Sequence, residues 1–526
     1  MSRRKQSFPH PFYERDQDDG EPARMLGELS MCALSATLRS KPEWWRKVKV
    51  DDIVERWKKE ALEQGLGEKQ VDYVLAELHD YVALRDDATG IEVSCFDRIW
   101  KSDSLIPNSV CEALKEGVHA LEDVPEDQKD WHPRANGLVL DLVHPSLYPL
   151  VYGRTMVHGD DGKLAPAVAP VGDNTTSDRF AWLPTDFAVA QDGTVARKGY
   201  INNLHPSHGG LYATLGHVIS AFVPLFERVL TDLLPANKFP LRVSGNYYHL
   251  EDNAPVKQDD ESDTEFDEKY EEWYANGRPI VLPEPPAYVP GTANKRKATY
   301  SLRGRDIQVI VKLANIILTP EKPEYPGGSW HVEGMQNEHI VASGIYYYDE
   351  DNISESRLAF RTAVAGPENY EQCDYSGAQE VWGLEHEGPL VQDLGSVQTK
   401  AGRCIAFPNI FQHCVQPFRL LDASRAGHRK ILALFLVDPD KRIPSTSVVV
   451  PQQAEWMYET LVESSRDSHL QKLPAELLKM VSDVGGHTMS REEAFEYREA
   501  LMDERTRFVH ANNEEYFETT FNMCEH

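Results

Sequence analysis

The sequence predicts an α+β protein, a β-rich centre set between two helical ends. Three observations point there. Apolar residues recur at spacings of three and four through the first hundred residues. From about residue 135 the texture changes to short apolar runs broken by Pro, Gly and Asn. Between about 300 and 450 those runs become the strongest strand candidates in the chain. The expected division is an N-terminal helical region at 1–134, a β-rich core at 135–450 that carries an acidic surface insertion at 251–278, and a C-terminal helical tail at 451–526.

Each element has a local reason. In ARMLGELSMCALSATL (23–38), Met25, Leu26, Leu29, Ala33 and Leu34 form an apolar stripe, and the segments at 50–62 and 71–84 repeat the pattern. Trp44 and Trp45 are expected to pack rather than bind a ligand. GLVLDLVHPSLYPLVYG, YINNLHPSH and LRVSGNYYHL read as strands and turns, interrupted by a helix at 211–234. Residues 251–278 are crowded with carboxylates and read as a solvated insertion. Then come the strands IQVIVKLANIIL, SWHVEG, HIVASGIYYY, SRLAFRTAV, GRCIAFPN and RKILALFLVD. After residue 453 the pattern is helical again, and SREE supplies a capping box with Ser490 as N-cap and Glu493 at the third helical position.

Composition narrows the function. A net charge of -29 and a sequence pI of about 5.1 give a surface that repels phosphate backbones and anionic membranes, so neither is an expected partner. A mean hydropathy of -0.49 is that of a soluble chain. No apolar segment follows MSRRKQS, so no signal peptide is expected. Runs such as ILALFLV are too short to span a bilayer. The seven cysteines are scattered and form no CxxC pair, which predicts free thiols in a reducing compartment. The protein is expected to be soluble and cytoplasmic.

The chemistry sits in SWHVEG. On a strand, positions i and i+2 face the same way, so His331 and Glu333 converge on one point. His413, in FQHCVQPF, follows a later strand and turn and offers a second imidazole. Two imidazoles and a carboxylate on a β scaffold are the donor set that leaves open positions on Fe(II), although other divalent metals suit the same ligands. In RKILALF, Arg429 shares a face with Ile431, Ala433 and Phe435, while Lys430 starts the other. If that face looks inward, Arg429 is a cation placed to grip a carboxylate. A salt bridge at the strand start is the alternative.

These residues resemble the 2-oxoglutarate-dependent Fe(II) oxygenase superfamily, whose pattern is HxD/E, a distal His, and a following Arg or Lys that opens a strand of a double-stranded β-helix (jelly-roll) core. The resemblance implies that fold for 135–450, with Fe(II) held by His331, Glu333 and His413. It implies 2-oxoglutarate as cosubstrate anchored by Arg429, O2 as co-reactant, and oxidation of a small organic metabolite, most simply by hydroxylation. The usual RxS strand has Ile431 in place of Ser. Asn315 lies about where plant-type members carry an Asn that contacts 2-oxoglutarate. Beyond the superfamily, the strings KPEWWRKV, DLVHPSLYPLVYGRT, WLPTDF, YINNLHP, LANIILTPEKPEYPGGSWHVEGMQNEHI, FPNIFQHCVQPF and GHRKILALFLVDP resemble a fungal domain family of unknown function with an oxygenase core.

Two rivals remain. A cupin-type dioxygenase shares the barrel, and HVEGMQNEHIVASG offers His331, Glu338 and Gly344 to its first motif, with Glu333 where a His belongs. A non-catalytic binding scaffold would be expected to lose a ligand, and all three are present. Asn203, His205 and Tyr346 are candidates for the substrate mouth, with ordinary turn chemistry as the alternative for the first two.

Overall fold

The computed structural model describes residues 8–523 apart from 13–15, 160, 173, 240, 369, 372–373, 466–473, 475, 478–479 and 481–486. Helices α1 (Leu26–Ser40), α2 (Asp51–Glu63) and α3 (Glu68–Leu84) occupy the three periodic segments, but α1 buries Glu28, Met31, Cys32, Ser35, Leu38 and Arg39 and leaves Leu26 and Ala33 of the expected stripe exposed; Trp44 is buried among the helices with its indole N–H on Glu92. The same region then supplies two strands, β1 (Glu92–Val93) and β2 (Trp100–Ser102), and a further helix, α4 (Asn108–Glu122). Next come β3 (Asp130–Trp131), β4 (Val139–Val143), β5 (Thr185–Val189) and β6 (Val195–Arg197), followed by helix α5 (Gly209–Leu233). The acidic insertion holds a short helix, Asp263–Glu272, capped by Ser262.

The strands β7 (Asp306–Leu318), β8 (Ile340–Asp351), β9 (Arg357–Ala365), β10 (Val391–Gln398), β11 (Cys404–Pro408), β12 (Gln412–Val415) and β13 (Gly427–Val437) follow. The tail contains a helix at Ala454–Ser465 and the long α6 (Arg491–Asn512). Ser490 caps α6, its Oγ accepting from the Glu493 N–H at 3.2 Å, while the Glu493 carboxylate pairs with Arg154 instead of completing the expected capping box.

The strands make two large antiparallel arrays, so the protein is a mixed α+β structure. One is a ten-stranded sheet in the order β6-β5-β7-β13-β8-β11-β2-β1, with β4 sharing the β7 edge with β5 and β3 pairing with β4. The other is four-stranded, with β10 and β12 flanking β9 and the short strand Glu21–Pro22 running parallel at the end of β9. Strand β13 shows why its sequence is apolar without interruption. Leu432, Leu434 and Leu436 pack outward with Phe222 and Phe226 of α5, while Ala433, Phe435 and Val437 face inward with Phe360 of β9 and Phe407 of β11. Contact with α5 is close enough to require a glycine: a Cβ on Gly344 of β8 would lie 2.7 Å from the Phe222 ring.

Helix α5 stands where a helix is expected at 211–234, and it is a longer apolar run than ILALFLV. Its composition and length would allow it to cross a membrane, yet it is a core helix with its apolar side against the sheet. Cys32, Cys95, Cys111, Cys404 and Cys414 are free thiols, while Cys373 and Cys524 lie outside the described residues.

Candidate metal centre

His331 does not stand in a full strand. It makes one antiparallel bridge to His413 of β12, the His331 N–H donating to the His413 carbonyl at 3.3 Å and the reverse bond measuring 3.0 Å. The bridge places both imidazoles on one face, their ring centroids 4.4 Å apart. Glu333, two residues on, turns its Oε1 to 3.8 Å from His331 Nε2 and 3.4 Å from His413 Nε2. One ligand atom from each of the three lies within 4.8 Å of the others. The expected convergence of residues far apart in the sequence is therefore present.

The backbone around the trio holds it in that geometry. The Ser329 carbonyl can only accept, so the 2.8 Å contact with His331 Nδ1 fixes the proton there and leaves the Nε2 lone pair facing Glu333. Asn409, in the turn between β11 and β12 and 1% exposed, clamps the carboxylate's own residue. Its Oδ1 accepts from the Glu333 N–H at 2.9 Å, and its Nδ2 donates to the Glu333 and Ile340 carbonyls at 2.9 and 3.1 Å. Burial, with the neighbouring His413 charge, lowers His331 to about 4. For Glu333 burial alone would raise the pKa, but the hydrogen bond from His413 and the charges of both imidazoles outweigh it and set the value at about 2. The site thus offers two imidazoles and one carboxylate, without thiolate, and that donor set fits Fe(II).

Glu338, the carboxylate a cupin pattern would need, is fully buried elsewhere. It accepts from the backbone N–H groups of Trp182 at 2.8 Å and Met335 at 2.7 Å, and pairs with Arg505.

Arg429, at the start of β13, is 1% exposed and points across the space between the sheets. Its guanidinium donates to Ser356 Oγ at 2.7 Å and Thr399 Oγ1 at 3.0 Å, residues at the ends of β9 and β10, and lies over the Phe418 ring at 4.6 Å. Its Nε has no partner, and no carboxylate lies within ion-pair distance among the described residues. Burial accordingly lowers its pKa. Lys430 faces the other way and pairs with Glu122 of α4 at 2.8 Å.

The remaining sequence candidates have these partners. Asn315 pairs in register with Lys430, so it shares the outer face, and its Nδ2 donates to Glu122 Oε1 at 2.6 Å rather than reaching Arg429's side. Tyr346 also packs outward, in the cluster with α5, and Tyr347 is the inner tyrosine, 5.6 Å beneath the Arg429 guanidinium. Asn203 adopts a φ of 65° and donates to the His144 and Leu147 carbonyls at 2.7 and 2.6 Å, which is turn chemistry. His205 bonds Ser207 at 2.6 Å and Glu459 at 3.1 Å against the Trp456 ring.

The structure adds residues not singled out in the sequence. Asp141 of β4 is in register with Ala314 of β7, on the inner face that Lys312 shares, and His132 and His144 gather around it in a second ligand-type cluster. A lone lysine in the apolar run IQVIVKLANIIL was the available signal.

A family model described as "Protein of unknown function (DUF4246)" matches residues 68–460, and its N-terminal companion domain matches residues 1–60. The chain belongs to the DUF4246 family. Among curated proteins no sequence matches. Solved structures similar to this DUF4246 chain include the Fe(II)/(alpha)ketoglutarate-dependent dioxygenase TqaL, at 9% identity and a TM-score of 0.30, covering 71% of this chain and 94% of that one. A bsmA homolog from Methylobium petroleophilum PM1 is similar at 9% identity and a TM-score of 0.26, covering 64% and 85%. An oxalate decarboxylase from Lactobacillus farciminis is similar at 11% identity and a TM-score of 0.13, covering 40% and 55%. At such scores the likeness carries no argument about this chain's chemistry.

Proposed function

We propose that this DUF4246 protein is an Fe(II)- and 2-oxoglutarate-dependent oxygenase acting on a small organic metabolite. The convergence of His331, Glu333 and His413 carries the reading. The strand orders support a double-stranded β-helix as its frame. Strands β7-β13-β8-β11 are consecutive in the large sheet, and the His331 bridge, β12, β9 and β10 are consecutive in the small one. That alternation between layers is what two sheets wound from one ribbon produce.

Bound Fe(II) would supply the redox chemistry by which O2 decarboxylates 2-oxoglutarate to succinate and CO2 and oxidises the substrate, most simply by hydroxylation. The chain's own part is to hold and orient. His331, Glu333 and His413 supply three donors from one side, with Ser329 and Asn409 fixing two of them. Arg429 has the charge and the free N–H capacity to take the distal carboxylate of a dicarboxylate, and Ser356 and Thr399 bring the hydroxyls that Ile431 cannot. The buried position of Glu338 speaks against the cupin ligand set.

The test is metal stoichiometry. Purified protein reconstituted anaerobically should bind one Fe(II) per chain, while His331→Ala and Glu333→Ala should bind none and keep the wild-type circular dichroism spectrum. Unchanged stoichiometry in both variants would overturn the assignment.

A further inference from the structure

Beside the triad, the inner face of the large sheet carries a polar wall that the proposed chemistry does not use. It is built by pairing. Asp130 of β3 lies opposite Asp141 of β4, Asp141 lies opposite Ala314 of β7, and Lys312 is the next residue of β7 on the same face. Because Leu313 is in register with Val143, His144 falls beside Lys312. Arg498 of α6, fully buried, closes the wall by donating to both Asp130 and Asp141.

Much of this wall is paired within itself, but Asp141 Oδ1, Arg498 Nε and Lys312 have no partner among the described residues. Asp141 is 4% exposed; its Oδ2 accepts from Arg498 and lies 2.7 Å from His132 Nδ1, whereas its Oδ1 is buried with no partner at all. Lys312 is half-buried and makes no hydrogen bond or ion pair among the described residues. Its charge acts on His331 and Glu333 of the metal triad and also on Asp141 and His144. Lys312 and Asp141 share a face on neighbouring strands yet do not pair with each other.

A buried carboxylate oxygen without a donor, beside a lysine without an acceptor, is costly unless something enters between them. The four charges of the wall, Asp130, Asp141, Arg498 and Lys312, sum to zero. The occupant that leaves the balance undisturbed carries one charge of each sign, placed in reverse order. We propose that the substrate of the oxygenase is a zwitterionic amino acid, its carboxylate received by Lys312 and its ammonium by Asp141 Oδ1. As a statement about substrate this rests on the reading above. As a statement about binding it can be tested without turnover.

The experiment is calorimetric titration of the full chain, metal-free and again loaded with redox-inert Zn(II) and 2-oxoglutarate, using the common L-amino acids as probes. For each amino acid that binds, its N-acetyl derivative, which lacks the cation, and its decarboxylated amine, which lacks the anion, are titrated alongside. At least one amino acid should bind, with both truncated probes at least tenfold weaker. Lys312→Met should weaken the amino acid at least tenfold and Lys312→Arg should restore it. Lys312 has no partner to strand, so the methionine variant should keep the wild-type melting curve. Asp141→Asn should lose the ammonium preference, if it folds despite Arg498. No amino acid binding in either state, equal binding of the N-acetyl probe, or unaltered binding by Lys312→Met would overturn the proposal. Binding with no iron chemistry would instead leave the site and remove the oxygenase.

Discussion

Replacing Arg429 by methionine separates an anchor for a ligand from a part of the fold. The guanidinium is 1% exposed, meets only the hydroxyls of Ser356 and Thr399, and has an unpartnered Nε. Breaking a buried ion pair costs about 3–5 kcal/mol because it strands the other charge, but here no carboxylate would be stranded. The ligand-free Arg429→Met protein should therefore unfold in denaturant within about 1 kcal/mol of wild type, or be more stable. With 2-oxoglutarate the sign reverses. Loss of charge-assisted bonds to a carboxylate costs about 2–3 kcal/mol, which is about 30- to 140-fold in Kd. The assay is titration of Zn(II)-loaded protein with 2-oxoglutarate, followed as the rise in stability, which reaches about 2.7 kcal/mol when the ligand is at a hundred times its Kd. At that concentration Arg429→Met, with its Kd about 30- to 140-fold weaker, should rise by only about 0.3–0.9 kcal/mol. An unchanged Kd, or a ligand-free variant destabilised by about 3–5 kcal/mol, would show that Arg429 serves an internal counter-charge instead.

Acid should weaken the metal-free fold in two overlapping steps. His331 is lowered from 6.5 to about 4, so the unfolded chain takes up its proton first and stability falls as pH drops from 6.5 to 4. Glu333 is lowered from 4.5 to about 2, so its contribution is full above 4.5 and is lost towards 2. Denaturant midpoints of wild type, His331→Gln and Glu333→Gln across this range should show each variant flattening its own step, and parallel curves would contradict the assignment. Asn409→Ala should leave the Glu333 N–H and two buried carbonyls without their partners. The expected cost is about 1–3 kcal/mol in stability and about 10- to 100-fold in Fe(II) affinity, measured by denaturation and by competition with a chelator. A loss of stability with unaltered metal affinity would reduce Asn409 to a turn residue.

What the sequence shows most clearly is whatever strand alternation alone decides. Arg429 shares a face with Ala433 and Phe435 because they are spaced by two, whereas His331 and Glu333 converge through one bridge to His413 and the bend after it. Alternation also gave Tyr347 and its neighbours opposite faces, but not which face was inner. That depends on α5 packing over β8, where register slips between Tyr347 and Asp349, and on a helix more than a hundred residues away. Asn315 was misplaced because its role came from a family position, whereas its facing is fixed by pairing with β13. The polar wall was hidden for the same reason. Asp130 and Asp141 reach Lys312 only through the pairing of β3, β4 and β7, with a bulge between Leu313 and Ala314 that nothing local predicts.

The most direct test of the metal site as an oxygenase centre is optical. Fe(II) is added to the protein without oxygen, and 2-oxoglutarate is then titrated in. A visible charge-transfer band should grow to saturation at one equivalent of iron and be absent from His331→Ala, Glu333→Ala and His413→Ala. A wild-type protein that binds Fe(II) but develops no band with 2-oxoglutarate would contradict the account.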